Sequence, residues 1–260
     1  MVRRRRTVEL ATEESQTNPL TLSPVNLFQT RAEYDQRTIV TYRAATTLTY
    51  LLLVITSVYY TFAYPHEGRY HRDTIWGQNA RHHTPFALSA PLTTVYWIVL
   101  YTLQIPYLAA LYPQTDAPAA HVKHACDAAV AFTAHNLLAF GFIHLWCRSY
   151  FGWALLLVIA DFLLLTLAYF GLPRLPRFVH VAVLAGPLAF AFVALYWVGA
   201  VVVHARNFPA RVVANVFVWT WAVYGGFYVV VFKDWAVGFA LSALSACEIL
   251  PLVEILGNVC

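Results

Sequence analysis

LLLVIADFLLLTLAY, residues 155–169, holds one carboxylate, Asp161, in an otherwise apolar run. The run extends from Tyr150 to Phe170, and about 20 apolar residues in a helix cross the hydrocarbon core of a bilayer. Working outward, five further runs have the same character: Ala44 to Ala63, Phe86 to Leu111, Ala128 to Cys147, Val179 to Val203 and Val212 to Phe232. A seventh, Trp235 to Leu256, is weaker, because Glu248, Pro251 and Glu254 interrupt its second half. It either spans, half-inserts or lies in the interface. The predicted fold is all-α: a polytopic transmembrane helix bundle with six spanning helices and a seventh candidate. Pro91, Pro106 and Pro187 predict kinks or unwound starts in the second and fifth runs.

Composition agrees. Of the 260 residues, 60% are hydrophobic and 12% charged. A soluble domain carries about 25% charged residues, so this chain cannot cover a water-facing surface, and its main partner is the lipid bilayer. The 8 Trp and 16 Tyr suit the headgroup level, where a ring and a polar tip are both satisfied. No basic face is interleaved with aromatics, which excludes nucleic acid as a partner.

Residues 1–40 are polar and read as a disordered basic tail, and residues 41–256 as a single transmembrane domain. The tail contains Arg3 to Arg6, which sets orientation, binds acidic headgroups or serves as a retention signal. With the N-terminus in the cytosol, the inner side carries most of the 17 Lys and Arg, and Arg69, Arg72, Arg81, Arg148, Arg206 and Arg211 lie outside. No apolar run occupies the first forty residues, which argues against a cleavable signal peptide. The abrupt end at Cys260 raises a truncated C-terminus as an alternative.

The link between the third and fourth helices, Arg148-Ser149, is short enough to force an antiparallel hairpin. Counting back from that turn at about 1.5 Å per residue puts Asp161 at the depth of His135 and Asn136. A carboxylate at mid-helix costs about 2.5–3.5 kcal/mol on insertion scales, so it must find donors, and both side chains can donate. Asp161, His135 and Asn136 are the candidate ligand-binding or proton-linked site. The competing reading is a polar clamp that fixes helix register.

The first loop, Tyr64 to Pro85, is the one long enough to carry structure. It holds His66, His71, His82 and His83 beside Glu67 and Asp73, but their spacing matches no metal signature, and no metal is expected. Thr74 to Asn79 reads as an interfacial hook with Trp76 at headgroup depth, or as a lid over a cavity. Gln104 and Asn215 could face a cavity. Cys126, Cys147, Cys247 and Cys260 form no paired spacing. No nucleophile elbow, HExxH, P-loop or dinucleotide loop is present, and no haem pair of histidines is evident, so no cofactor is expected and the balance leans away from an enzyme.

Three strings carry a resemblance: TIWGQNARHHTPFALSAPLTTVYWIVLYTLQ at 74–104, PRFVHVAVLAGPLAFAFVALYWVGAV at 176–201 and PARVVANVFVWTWAVYGGFYVVVFKDWAVGFALS at 209–242. They resemble an uncharacterised family of fungal multi-pass membrane proteins, a domain of unknown function. The resemblance implies a fungal integral membrane protein and supplies no mechanism. A fainter similarity, in Thr84-Pro85-Phe86-Ala87, Tyr96-Trp97 and His135-Asn136 to Trp146, is to the translocator or tryptophan-rich sensory proteins. It implies a cavity for a lipophilic ligand. Three functions follow as expectations: binding or transport of a lipophilic or small molecule at a midplane polar pocket, a scaffold without ligand, or an intramembrane hydrolase.

Overall fold

Apolar runs fold as helices because hydrocarbon offers no partner to a free backbone N–H or C=O, and a helix satisfies both within the segment. The computed structural model describes residue 28 and residues 33–82, 84–112, 119–172, 176–204 and 208–257, with 119–120, 208–218 and 248–257 described by backbone alone. Most of the predicted tail, together with His83, Arg206 and Cys260, lies outside the described residues, as do the side chains of Asn215, Glu248 and Glu254.

The helices are α1 (Gln36–Phe62), α2 (Ile75–Arg81), α3 (Ala90–Ala110), α4 (Ala119–Cys147), α5 (Phe151–Gly171), α6 (Arg177–Val202), α7 (Phe208–Val231) and α8 (Trp235–Gly257). No strand occurs among the described residues. The chain is an all-helical membrane bundle in which α1, α3, α4, α5 and α6 are long and apolar enough to cross a membrane. That is five among the described residues against six predicted spans. The sixth and seventh runs are helical, but the apolar part of α8 with described side chains, Trp235–Cys247, is shorter.

The hairpin α4–α5 turns at Arg148-Ser149, where Ser149 adopts a left-handed φ of 60°. α1 lies against α4, α5 against α6, and α8 against α6 and α7. α6 is the axis of the bundle: 78% of its apolar window is buried, against 17% for α1, which faces out.

Several predicted boundaries move for physical reasons. α4 begins at Ala119 rather than Ala128, because Asp127 does not end it. Its fully buried carboxylate accepts from Lys123 Nζ at 3.0 Å and from the Tyr34 hydroxyl at 2.7 Å. Neutralised charges let the helix run on into the interface. α3 begins at Ala90, so Pro91 sits in its first turn, where a missing N–H costs nothing. In α6, residues His180–Ala185 widen to a π-helical segment. Pro187, five residues after Ala182, has no N–H to give back to that carbonyl. Gln104 of α3 supplies it instead, donating from Nε2 to Ala182 O at 3.1 Å. Gln104 is therefore fully buried between two helices and does not line the cavity described below.

Candidate functional site

The loop between α1 and α3 folds inward. Thr74 caps α2, its hydroxyl accepting from Gly77 N at 2.9 Å. Gln78, fully buried, donates from Nε2 to Ser149 Oγ at 2.8 Å and to Cys147 O at 3.3 Å, which fastens α2 to the hairpin turn. Asn79 donates to Leu88 O at 2.8 Å and accepts from the Leu88 amide and from Trp197 Nε1. Trp146 Nε1 donates to Ile75 O at 3.1 Å. Ile75 and Trp76 line a cavity, so residues 74–79 lie against it as a lid.

The cavity measures about 220 Å³. Its floor is the polar pair. His135 Nδ1 lies 2.9 Å from Asp161 Oδ1 and 3.0 Å from Oδ2, so one imidazole edge faces both carboxylate oxygens. The two residues are 1% and 8% exposed, and both line the cavity. A charge-assisted contact of this kind is among the stronger hydrogen bonds. His135 Nε2, on the far side of the ring, has no hydrogen-bond partner among the described residues. The structure does not bring Asn136 to the cavity. It is fully buried, and its Nδ2 lies 3.5 Å from Thr49 Oγ1 on α1. Asn136 joins two helices, whereas Asp161 and His135 meet at the cavity floor.

The walls are aromatic and aliphatic. Trp97 of α3 meets Phe190 of α6 edge-on, with ring centroids 4.5 Å apart. Tyr101 closes the gap between α3 and α1, its hydroxyl 2.8 Å from Ser57 Oγ. Val58 and Phe62 of α1 and Ile98 of α3 line the cavity and are 54%, 83% and 58% exposed. The mouth therefore opens sideways between α1 and α3. Beyond the cavity lining, Phe132, one turn from His135, packs against Tyr107 with tilted rings 4.8 Å apart, and both are fully buried.

A second polar cluster escaped the sequence reading. His180 Nε2 lies 2.6 Å from Asp234 Oδ2, the Tyr169 hydroxyl donates to the same oxygen at 2.8 Å, and the Ala236 amide donates to Oδ1 at 3.0 Å. The Asp234 carboxyl lies below its ordinary value. Burial pushes it up, but the hydrogen bonds from His180 and Tyr169, with the charge of His180, outweigh that. The cluster ties the ends of α5 and α6 to the turn before α8. In the first loop, Asp73 is flanked by Arg81 at 3.5 Å and His71 at 3.8 Å. No three metal-ligating side chains converge among the described residues.

No curated protein and no solved structure matches the chain. Residues 211–251, which take in most of α7 and much of α8, match the family model described as "Fungal protein of unknown function (DUF1774)".

Proposed function

We propose that the protein binds a lipophilic small molecule with a polar group, taken up sideways from the membrane into the cavity above Asp161 and His135. One observation carries this reading: the polar pair forms the floor of an apolar cavity whose exposed lining lies on α1 and α3, two helices of spanning length. Intramembrane ionisable groups more often serve ligands or ions than packing alone when a cavity reaches them. An apolar cavity of about 150 Å³ takes benzene, so this one suits a single ring system or a length of one acyl chain. A sterol or porphyrin would stand partly in lipid. The packed rings of Phe132 and Tyr107 favour binding. Transport would require them to part.

A scaffold without ligand is the second reading, because His135 and Asp161 already satisfy each other. No hydroxyl is hydrogen-bonded to His135 among the described residues, so this pair lends the hydrolase reading no support. We further read the chain as multi-pass, with its N-terminal tail in the cytosol and the lid on the opposite side. Membrane-impermeant thiol labelling of a cysteine placed at Glu67 tests that orientation.

The binding test uses protein in nanodiscs and an alkanol brominated along its chain, which quenches Trp97 and Trp197. Saturable quenching by the bromoalkanol, above that of the bromoalkane of equal length and lost in Asp161→Ala, supports the proposal. Quenching that rises linearly and ignores Asp161→Ala sinks it in favour of the scaffold.

A further inference from the structure

The polarity of the cavity is divided between its two ends. Most hydroxyls along its walls are already spent. Ser57 bonds Leu53 O and Tyr101, Thr61 bonds Ser57 O, and Thr94 bonds Ala90 O. Two lining residues at the lid end carry a buried polar atom with no hydrogen-bond partner among the described residues: the indole N–H of Trp76 and the hydroxyl of Thr93. An indole nitrogen only donates, and a hydroxyl donates readily. At the floor stand the Asp161 carboxylate, held among the described residues by His135, and His135 Nε2, which has no hydrogen-bond partner among them. A carboxylate only accepts, so this end takes a donor. Thr93 is fully buried and His135 is 1% exposed, so each unpartnered atom costs free energy until something in the cavity meets it. From Thr93 to Tyr101 along α3, and from His135 to Phe142 along α4, the ends are separated by about 10–12 Å of helix rise.

We infer that the cavity takes a bipolar lipophilic molecule: a hydrogen-bond acceptor such as a carbonyl between Trp76 and Thr93, an apolar chain about 10 Å long, and a donor such as a hydroxyl at Asp161. This rests on the binding role proposed above and adds the class of ligand. The lid-end donors select the acceptor, the floor selects the donor, and the Trp97–Phe190 wall covers the chain between them.

Three probes of one chain length separate the possibilities: methyl ω-hydroxyoctanoate, methyl octanoate and octanol, each displacing the brominated alkanol from protein in nanodiscs. The hydroxy ester is expected to bind about five- to tenfold tighter than either single-ended probe, the worth of one added hydrogen bond. Thr93→Val, which keeps the side-chain shape, should abolish the advantage over octanol and leave octanol itself unchanged. Trp76→Phe serves as the second lid-end variant. Equal binding of the hydroxy ester and octanol, or an advantage that survives both variants, overturns the two-ended ligand while the binding role stands. If none of the three displaces the bromoalkanol, both fall together.

Discussion

The indole N–H of Trp197, near the C-terminal end of the most buried helix, donates to Asn79 Oδ1 on the lid at 2.8 Å. The same amide holds the start of α3 through Leu88. One side chain thus fixes the lid both to the axis of the bundle and to the helix that borders the mouth.

Replacing Asn79 with Leu should therefore loosen the lid selectively. The variant strands Trp197 Nε1 and the Leu88 amide, at about 1–3 kcal/mol for each buried group left unpaired. The expected outcome is a lower unfolding midpoint in detergent, with hydrogen exchange rising first over residues 74–89. Uniform exchange across all helices would contradict a lid held at this point.

His135→Phe should destabilise the protein by about 3 kcal/mol, because it leaves a carboxylate alone at mid-helix. Asp161→Asn should cost less, about 1 kcal/mol, since an amide still bonds the imidazole. The double variant His135→Phe with Asp161→Leu should recover most of the loss, because neither charge nor orphan remains. Unfolding in a denaturing detergent series over the full cycle gives the coupling. Simple additivity of the single losses would show that the two side chains do not act as a pair.

Gln104→Leu should cost about 1–3 kcal/mol by removing the donor to Ala182 O. Adding Pro187→Ala returns a backbone N–H to α6 and should offset part of that loss. Thermal unfolding of the single and double variants checks this. If Pro187→Ala adds to the damage, the side-chain amide is not standing in for a missing backbone donor.

Asp234 lies in the turn between α7 and α8, and its folded carboxyl titrates below its ordinary value of 3.8. The unfolded chain therefore takes up the proton first as pH falls. The contribution is fully present above the ordinary value and is lost as pH drops through the folded one. Stability measured downward from neutral pH should hold to about pH 4 and then decline. In Asp234→Asn that component of the decline should be absent, leaving His180 and Tyr169 with a neutral partner. Identical pH slopes in the two proteins would remove the carboxylate from the account.

Much of the architecture was legible because hydrocarbon leaves few choices. Apolar runs of spanning length had to be helices, and the two-residue link had to make a hairpin, so Asp161 came to the depth of His135 and Asn136 by rise alone. The helix ends were less legible. Asp127 directly precedes the apolar run that begins at Ala128, and Lys123 one turn earlier was a readable sign of a paired charge. Asp234 and His180, far apart in sequence, gave no local signal of their meeting.

By itself, the chain's sequence determined the solvent it lives in, the helices, and the level at which each polar residue sits along them. Tertiary structure decided which way those residues turn: His135 to the carboxylate, Asn136 to α1, Trp76 inward under the lid. Rise along a helix follows from backbone geometry and needs no neighbours. Rotation about its axis follows from the packing of side chains on α1, α3 and α6, and that packing exists only once the bundle has closed.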